Sequence, residues 1–262
     1  MRTCNIFSIF MFVLLFCVDL SVWGQTTEKL KSYKGNFKIK NGHVYNEAFG
    51  IHGVNPVEHL KGTAEYQYRE ESDGSRIFEG PFVFSGTGSD CYTAVGQFNV
   101  DYQVGTWIWK DGALTVTIKF NDDGDLCEYK LQNFYNGKEI LVEILTFNFN
   151  GQLLTFPGKE VVTSYKYKSR NQDIEAEFDS FGKPKGKWTI LLDGDKYTST
   201  LEFDDNGNII KAGRRDDTTG DWIKSNGESM LEKINHYIWY AKYDLGHYFL
   251  RKTLKKYSKY VQ

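Results

Sequence analysis

The stretch from Gly112 to Gly124 reads GALTVTIKFNDDG and holds the features that decide the fold. Apolar side chains alternate with polar ones between the two glycines, at Leu114, Val116, Ile118 and Phe120. Period-two alternation with one apolar face is typical of a half-buried antiparallel strand. Each flanking glycine follows Asp, and this dipeptide favours a two-residue hairpin turn because both residues tolerate φ > 0. The stretch therefore predicts one strand of a hairpin series.

The same turn signal recurs along the chain. Nine of the 25 glycines directly follow Asn or Asp, whereas composition alone would give about three such pairs. The pairs are Asn41-Gly42, Asp73-Gly74, Asp111-Gly112, Asp123-Gly124, Asn136-Gly137, Asn150-Gly151, Asp193-Gly194, Asn206-Gly207 and Asn226-Gly227. Because only four prolines interrupt the alternating segments between them, the sequence predicts an all-β chain of successive antiparallel hairpins.

Two of these hairpin units are related to each other. Gly105-Thr106-Trp107 is followed by Gly112 and Phe120, and Gly186-Lys187-Trp188 is followed by Gly194 and Phe203. Upstream, Phe98 corresponds to Phe178, and the offsets between the units rise from 80 to 83 residues. Self-similarity at a fixed period indicates a repeat array.

The unit resembles the MORN repeat. It consists of G-x-[FW], a strand, a turn with Asp-Gly or Asn-Gly, and a second strand that ends in an aromatic residue. Asp73–Phe82 is the best single match, and Gly105–Gly112 and Gly186–Gly194 follow. The likeness covers residues 35–225 and is closest to degenerate bacterial variants, some described as antitoxin-like. It implies an open, twisted antiparallel sheet with a binding or scaffolding role and no catalytic residues to transfer.

The end of the chain has a different pattern. Met230, Ile234, Tyr237, Ile238 and Ala241 follow the spacing of one helix face. We predict an amphipathic helix over residues 229–245 that covers the exposed terminal strand, since an open edge invites association. Residues 25–228 then form the hairpin repeat domain, and 229–262 form the capping helix and a basic tail.

The first 24 residues have the features of a secretory signal. A short positive start precedes an apolar run from Ile6 to Val18, and Val22 and Gly24 suit cleavage before Gln25. We therefore expect export to a bacterial periplasm, outer envelope or medium. Cys91 and Cys127 would remain after cleavage. Their predicted separation across the sheet favours two free buried thiols over a disulfide.

Charge excludes one class of partner. Five basic residues occupy positions 251–259, and residues 25–250 carry a net charge of −7. Because phosphate contacts need clustered Lys and Arg, an acidic body is unsuited to nucleic acid. The basic tail could contact an anionic membrane surface, but a solvated helix end is the favoured interpretation.

Motifs for catalysis or metal binding do not emerge. The chain contains no G-x-S-x-G, Walker A, H-E-x-x-H or C-x-x-C motif. Glu202–Asn208 spaces acidic and amide side chains like a calcium loop, but Gly213 stands where the twelfth-position Glu is required. We therefore interpret this segment as a hairpin turn, and we predict no catalytic, metal-binding or cofactor-binding residues.

Aromatic side chains make up 16% of the chain. The favoured interpretation is that large rings cover the apolar face of a single-layer sheet. The alternative is that Trp109, Tyr66 and Tyr68 form an exposed platform for a sugar or peptide. The sequence thus favours a non-catalytic interaction module for an unknown protein or glycan, with a carbohydrate-binding protein or hydrolase as the alternative.

Overall fold

A computed structural model describes residues 29–40, 59–86, 93–148, 161–192 and 196–245. The predicted signal (1–24) and the basic tail (251–262) lie outside the described residues, as do three of the predicted turns, Asn41-Gly42, Asn150-Gly151 and Asp193-Gly194.

Fourteen strands and one helix make up the described part of the chain. They are β1 (Lys31–Lys40), β2 (His59–Glu70), β3 (Arg76–Gly86), β4 (Thr93–Asn99), β5 (Tyr102–Asp111), β6 (Leu114–Phe120), β7 (Leu126–Tyr135), β8 (Lys138–Asn148), β9 (Val161–Ser169), β10 (Asp173–Phe178), β11 (Pro184–Leu191), β12 (Ser199–Phe203), β13 (Ile209–Arg215), β14 (Trp222–Lys224) and α1 (Gly227–Leu245).

The strands form one open meander in which spatial order equals chain order. Every neighbouring pair is antiparallel, as successive hairpins require. The structure thus confirms the predicted all-β hairpin meander with a C-terminal helix.

Period-two alternation divides the sheet into two faces, which we call the inner and the outer face. The inner face carries the core, where Phe82, Phe84, Trp107 and Trp188 are fully buried. Rings from different strands contact one another on this face, with centroids 5.6 Å apart for Phe82 on β3 and Trp107 on β5. The outer face carries the intervening residues, most of them partly or fully exposed. Large rings therefore provide the core of the single-layer sheet, as the composition predicted.

The two related units fold in the same way, and we call β4–β6 the first repeat and β10–β12 the second repeat. Phe98 lies 5.0 Å from the Trp107 ring, and Phe178 lies 5.1 Å from the Trp188 ring. Each indole N–H donates to the carbonyl of the residue that precedes its phenylalanine, at 3.2 Å and 3.0 Å. The structure therefore confirms the repeat inferred from the offsets.

The register confirms this equivalence between the repeats. A β-bulge lies between Val95 and Gln97 in the first repeat, and another lies between Glu175 and Glu177 in the second. These positions are 80 residues apart, which is the offset between Phe98 and Phe178. The repeats share backbone irregularities as well as side chains.

Two of the predicted turns are two-residue hairpin loops. Asn136 and Gly137 both have positive φ, 50° and 74°, and they join Tyr135 to its partner Lys138. Gly112 has φ 53° and joins β5 to β6 together with Ala113. Such turns match the right-handed twist of the flanking strands. The Asn136-Gly137 turn is confirmed. At the other loop the two-residue hairpin and the positive φ of Gly112 are confirmed, but its central residues are Gly112 and Ala113, because Asp111 pairs with Leu114.

Three other Asp-Gly or Asn-Gly pairs close longer turns, so the two-residue prediction is wrong there. Gly74, Gly124 and Gly207 donate to the carbonyl of the residue three positions earlier. In the last two turns that earlier residue is the anchor, because the Oδ1 atoms of Asn121 and Asp204 each accept two backbone amides. Asx side chains stabilise such turns by bonding their own backbone. The Asp204 turn also confirms the hairpin interpretation of the calcium-like segment.

The anchor can act without an Asp-Gly or Asn-Gly pair. Asp179 Oδ1 accepts the amides of Phe181 and Lys183, and Gly182 closes the turn with φ 81°. The bond from the Lys183 amide contributes most to lowering the pKa of Asp179. Because Phe precedes the glycine here, the dipeptide count misses this turn.

Asn226-Gly227 is a helix start and not a hairpin. Asn226 Oδ1 accepts the backbone amide of Ser229 at 3.1 Å, which is the geometry of an N-cap. The helix begins at Gly227, two residues before the predicted boundary.

The predicted apolar stripe of α1 is confirmed, but its location differs from the prediction. Ile234, Ile238 and Ala241 are buried in the same cluster as the sheet core, and Met230 and Tyr237 pack against it. The helix contacts β13 and β8. It therefore lies across the inner face of the C-terminal half of the sheet, whereas the sequence predicted a cover for the terminal strand. A helix stripe shows which side of the helix is buried but not which surface receives it.

Cys127 is free, and its exposure corrects the expectation of a buried thiol. Residual desolvation nevertheless raises the pKa of the Cys127 thiol. Cys91 lies outside the described residues.

Candidate interaction surface

The three rings predicted as an exposed platform lie on the inner face. Trp109 is 2% exposed, Tyr66 is 6% exposed and Tyr68 is 7% exposed. Trp109 stacks near Trp107, with ring centroids 6.4 Å apart. The predicted exposure is therefore wrong, because alternation assigns residues to a common face but does not say which face meets solvent.

The structure brings two of the three predicted residues together. Tyr66 and Tyr68 have ring centroids 5.9 Å apart. The Arg76 guanidinium lies 4.5 Å from the Tyr68 ring and donates to the Tyr66 hydroxyl at 3.0 Å. This cation–π cluster ties β2 to β3, and Trp109 on β5 has no part in it.

The outward residues of β3–β6 include Lys110, the cross-strand partner of both Thr93 and Thr115, and Lys119, the partner of Thr106. The uncharged outward residues form a surface that we call the outer patch. It is formed by Pro81, Val83, Ser85, Thr93, Val95, Gln97, Thr106, Ile108, Thr115 and Thr117. Three aliphatic side chains occupy its centre, and they are 43%, 46% and 37% exposed at Val83, Val95 and Ile108. They are cross-strand partners in consecutive strands, so they form one contiguous row.

Three equivalent outward positions of the second repeat carry charge, whereas Ile108 corresponds to the uncharged Thr189. Val95, Gln97 and Thr106 correspond to Glu175, Glu177 and Lys187 by the repeat offsets. Glu175 forms a 2.6 Å ion pair with Lys166 on β9. The outer patch is therefore a property of the first repeat alone and not a requirement of the repeat fold.

Charged residues border the outer patch on both sides. Glu65 on β2 is the cross-strand partner of Val83 and forms a 2.9 Å ion pair with Lys34. Lys130 on β7 is the cross-strand partner of Thr117. An acidic border and a basic border thus lie on opposite sides of the apolar row.

A second feature is a surface depression of about 510 Å³ beside β8, β9 and β10. Its walls are formed by Thr146, Phe147, Asn148, Thr163, Ser164, Glu177, Phe178, Ser180 and Lys185. A bulge in the β8–β9 pairing brings three hydroxyl groups together, with Thr146 Oγ1 3.0 Å from Thr163 Oγ1 and 2.6 Å from Ser164 Oγ. Hydroxyl, amide and charged groups here could hydrogen-bond a polyol.

A third feature is a buried carboxyl group under α1. Glu143 on β8 is 8% exposed, and the Tyr165 hydroxyl donates to its Oε1 atom at 2.8 Å. Burial raises the pKa of Glu143 to about 7, the hydrogen bond from Tyr165 opposes that rise, and the negative charge of Asp244 on α1 adds to it. We therefore expect the contact between sheet and helix to depend on pH near neutrality.

Sequence reasoning missed both the outer patch and Glu143. The outward positions of β3–β5 show the patch as valines, isoleucine and threonines between the aromatic residues, with Lys110 near the end of β5, whereas Lys and Glu are more frequent at the outward positions of β9–β11. That signal was available in the alternation itself. Glu143 has no comparable signal, because its burial depends on where the helix lies.

Comparisons with known proteins provide no further assignment. No family model matches the chain, and no curated protein is significantly similar to it. Within the described ranges, no three His, Cys, Asp or Glu side chains cluster closely enough to hold a metal ion. In that same part of the chain, no helix has the length and apolarity needed to cross a bilayer.

Proposed function

We propose that this chain is an exported, non-catalytic interaction module that binds a protein surface through the outer patch. One observation carries the proposal: Val83, Val95 and Ile108 form an exposed aliphatic row, whereas the same row at β9 and β10 carries the Lys166–Glu175 ion pair.

The comparison between repeats separates folding from binding. Both repeats have the same inner-face packing and the same bulge, so charge at the outward positions is compatible with the fold. Solvent favours charge at exposed positions, and contiguous exposed apolar groups are typical of interaction sites. Burial of Val83, Val95 and Ile108 against a partner would stabilise the complex by about 25 cal/mol for each Å² of apolar surface removed from water.

Position-specific photo-crosslinking in cells that produce the chain tests this role. A photoreactive amino acid at position 95 should form a covalent adduct, and the matched control at position 175 should form none. Both variants should be exported and folded to the same extent. Absence of an adduct at position 95 in folded, exported protein would overturn the binding role of the patch.

Export is part of the proposal and has its own test. The signal features of residues 1–24 support it. N-terminal sequencing of the protein recovered outside the cytoplasm should begin at Gln25. Recovery of only the uncleaved chain from the cytoplasm would contradict export.

A carbohydrate-binding role is the second candidate, and the depression beside β8–β10 favours it. Hydroxyl groups, an amide and one charge of each sign line it, and Phe147 provides an aromatic wall. Sugars combine such hydrogen bonds with contact to a ring. Titration of a glycan library should detect binding that Ser164→Val weakens and Ser85→Val, on the outer patch, does not. Equal effects of the two variants would rule out the depression.

A further inference from the structure

One cross-strand row passes through the centre of the outer patch. From β2 to β7 it consists of Glu65, Val83, Val95, Ile108, Thr117 and Lys130, each in register with the next. An acid begins the row, a base ends it, and the four positions between them are uncharged. The two ends lie five strand spacings apart, or about 24 Å.

This row is complementary to its own reverse. A second copy can be placed against the outer face by a rotation of 180° about an axis that is parallel to the strands and lies above the outer face, midway between β4 and β5. This rotation brings the two outer faces together and reverses the order of the strands in the second copy. Glu65 then lies opposite Lys130 of the other copy, and Val95 lies opposite Ile108. Within this row, uncharged positions meet uncharged positions and each charge meets its opposite. In the neighbouring row, Lys110 lies opposite Thr93 of the other copy. A two-fold interface requires this self-complementarity, because the same surface serves both subunits.

The charges at the row ends are available for such contacts. The Lys34–Glu65 pair has side-chain exposures of 79% and 61%. A pair this exposed contributes little within one chain, so Glu65 can accept a second cation without loss of a strong bond. Opposite charges at the borders of an interface select its partner and register more than they add affinity.

The area is sufficient for a weak dimer. Six strands at about 4.8 Å and seven residues at about 3.3 Å give a field of about 29 by 23 Å. Two such fields in contact bury about 1,300 Å² in total, near the lower end of specific interfaces. Packed sheets keep their strands within about 30° of each other, which this rotation allows.

The second repeat has no equivalent self-complementary row. In β9–β12 the same cross-strand row consists of Lys166, Glu175, Thr189 and Thr200. Lys166 and Glu175 are adjacent and already paired at 2.6 Å. A buried interface there would have to desolvate an ion pair near its centre. In β2–β7, Lys110 and the Lys119–Glu128 ion pair lie outside the central row. This half of the sheet is therefore the one suited to face-to-face association.

We infer that the occupant of the outer patch is a second copy of this chain, packed face to face with the row reversed. The inference rests on the proposed binding role of the patch and adds the identity of the partner.

Sedimentation of the purified chain tests the inference over a roughly hundredfold range of micromolar concentrations at low salt. The mass should rise from one copy to two. Val95→Glu should prevent the rise, and Glu175→Gln, in the second repeat, should leave it unchanged. Thermal unfolding of each variant controls for folding.

Variants of Glu65 and Lys130, the charged ends of the row, test the reversed packing most directly. Glu65→Lys alone and Lys130→Glu alone place like charges opposite each other, and each should weaken association about tenfold. An equal mixture of the two variants should recover dimers, because each Lys then faces a Glu in the mixed pair. Failure of the mixture to recover dimers overturns the reversed row.

One further outcome distinguishes a failure of this inference from a failure of the proposed function. A monomer at every concentration overturns the second copy as occupant. The photo-crosslink at position 95 then reports whether the patch binds a different protein. An adduct at position 95 with the mass of two chains would agree with the sedimentation result.

Discussion

The first and second repeats have the same inner face and different outer faces. Trp107 and Trp188 are both fully buried, and each packs against a phenylalanine 5.0 to 5.1 Å away. On the opposite side, Val95 is 46% exposed, whereas its equivalent Glu175 is paired with Lys166. The same backbone thus carries two different surfaces.

This difference shows which part of the sequence determines the fold and which part is free to serve binding. Inner-face rings must fill the same space in each repeat, so their identities repeat. Outer positions meet solvent, where either charged or aliphatic residues are compatible with the ladder. An aliphatic row at the outer positions of one repeat therefore requires an explanation beyond folding, and the proposed binding role is the one we test.

The equivalence of the inner faces predicts the largest effect. Trp107→Ala and Trp188→Ala should each lower the free energy of unfolding by about 3 to 5 kcal/mol, because each removes a fully buried ring. Chemical denaturation measures the loss. Trp222→Ala, at the partly exposed β14 ring, is the control and should cost much less. A loss at one repeat less than half that at the other would break the equivalence.

Glu143, on β8 between the two repeats, predicts that the free energy of unfolding depends on pH. Its pKa rises in the folded state from 4.5 to about 7 because the group is buried. The folded chain therefore holds a proton that the unfolded chain has released, and stability falls as pH rises between these two values. The expected loss is about 3 kcal/mol between about pH 5 and about pH 8.

Glu143→Gln should remove most of this dependence, because the amide does not titrate. Glu175→Gln, at the exposed pair of the second repeat, should leave the dependence in place. Unfolding free energies at the two pH values measure both variants. The same slope in Glu143→Gln and the parent chain would contradict the assignment.

The inner faces of the two repeats differ at one position, where we expect a smaller loss of stability. A Cβ atom on Gly96 would lie 2.1 Å from Cδ2 of Trp107, whereas the second repeat has Ala176 at the equivalent position. Gly96→Ala should therefore destabilise the chain by about 2 kcal/mol through overpacking. Ala176→Gly is the matched variant and should cost about 1 kcal/mol. If Gly96→Ala unfolds at the parent denaturant concentration, the close contact between Gly96 and Trp107 is wrong.

We expect a still smaller loss of stability at the β5–β6 turn. Gly112 has φ 53°, and a Cβ atom there would meet no other atom within 4 Å. Gly112→Val should cost more than about 1 kcal/mol from backbone strain alone. Ala113→Val, next to it in the same loop, should cost less. The equivalent Gly194 lies outside the described residues, and the sequence makes the same prediction for it. An unchanged unfolding midpoint for Gly112→Val would contradict the turn.

The sequence predicted the features that depend on local pattern. Alternation gave the strands, and the spacing of Phe98 and Trp107 against Phe178 and Trp188 gave the repeats. Turn positions were predicted better than turn types, because an anchor such as Asn121 lies three residues before its glycine and not beside it. Asn226-Gly227 has the same dipeptide but caps a helix, because an Asn side chain can accept a backbone amide at a helix start as well as in a turn.

Features that depend on tertiary placement could not be predicted from the sequence. The stripe of α1 did not reveal that the helix crosses the inner face, and the burial of Glu143 follows from that crossing. The burial of Tyr66, Tyr68 and Trp109 likewise depends on which face of the sheet became the core. The exposure of the outer patch has the same cause, because its residues lie on the face opposite the core.

The central claim is that the outer patch serves binding and is not needed for folding. It predicts the smallest effect, for a variant that gives the outer row of β3–β5 the residues of the same row in β9–β11: Val83→Lys, Val95→Glu and Ile108→Thr together. Thermal unfolding measured by circular dichroism should place its midpoint within about 2 °C of the parent chain, since exposed positions contribute little to stability. A fall of more than about 6 °C would show that these aliphatic side chains stabilise the fold, and it would contradict the claim.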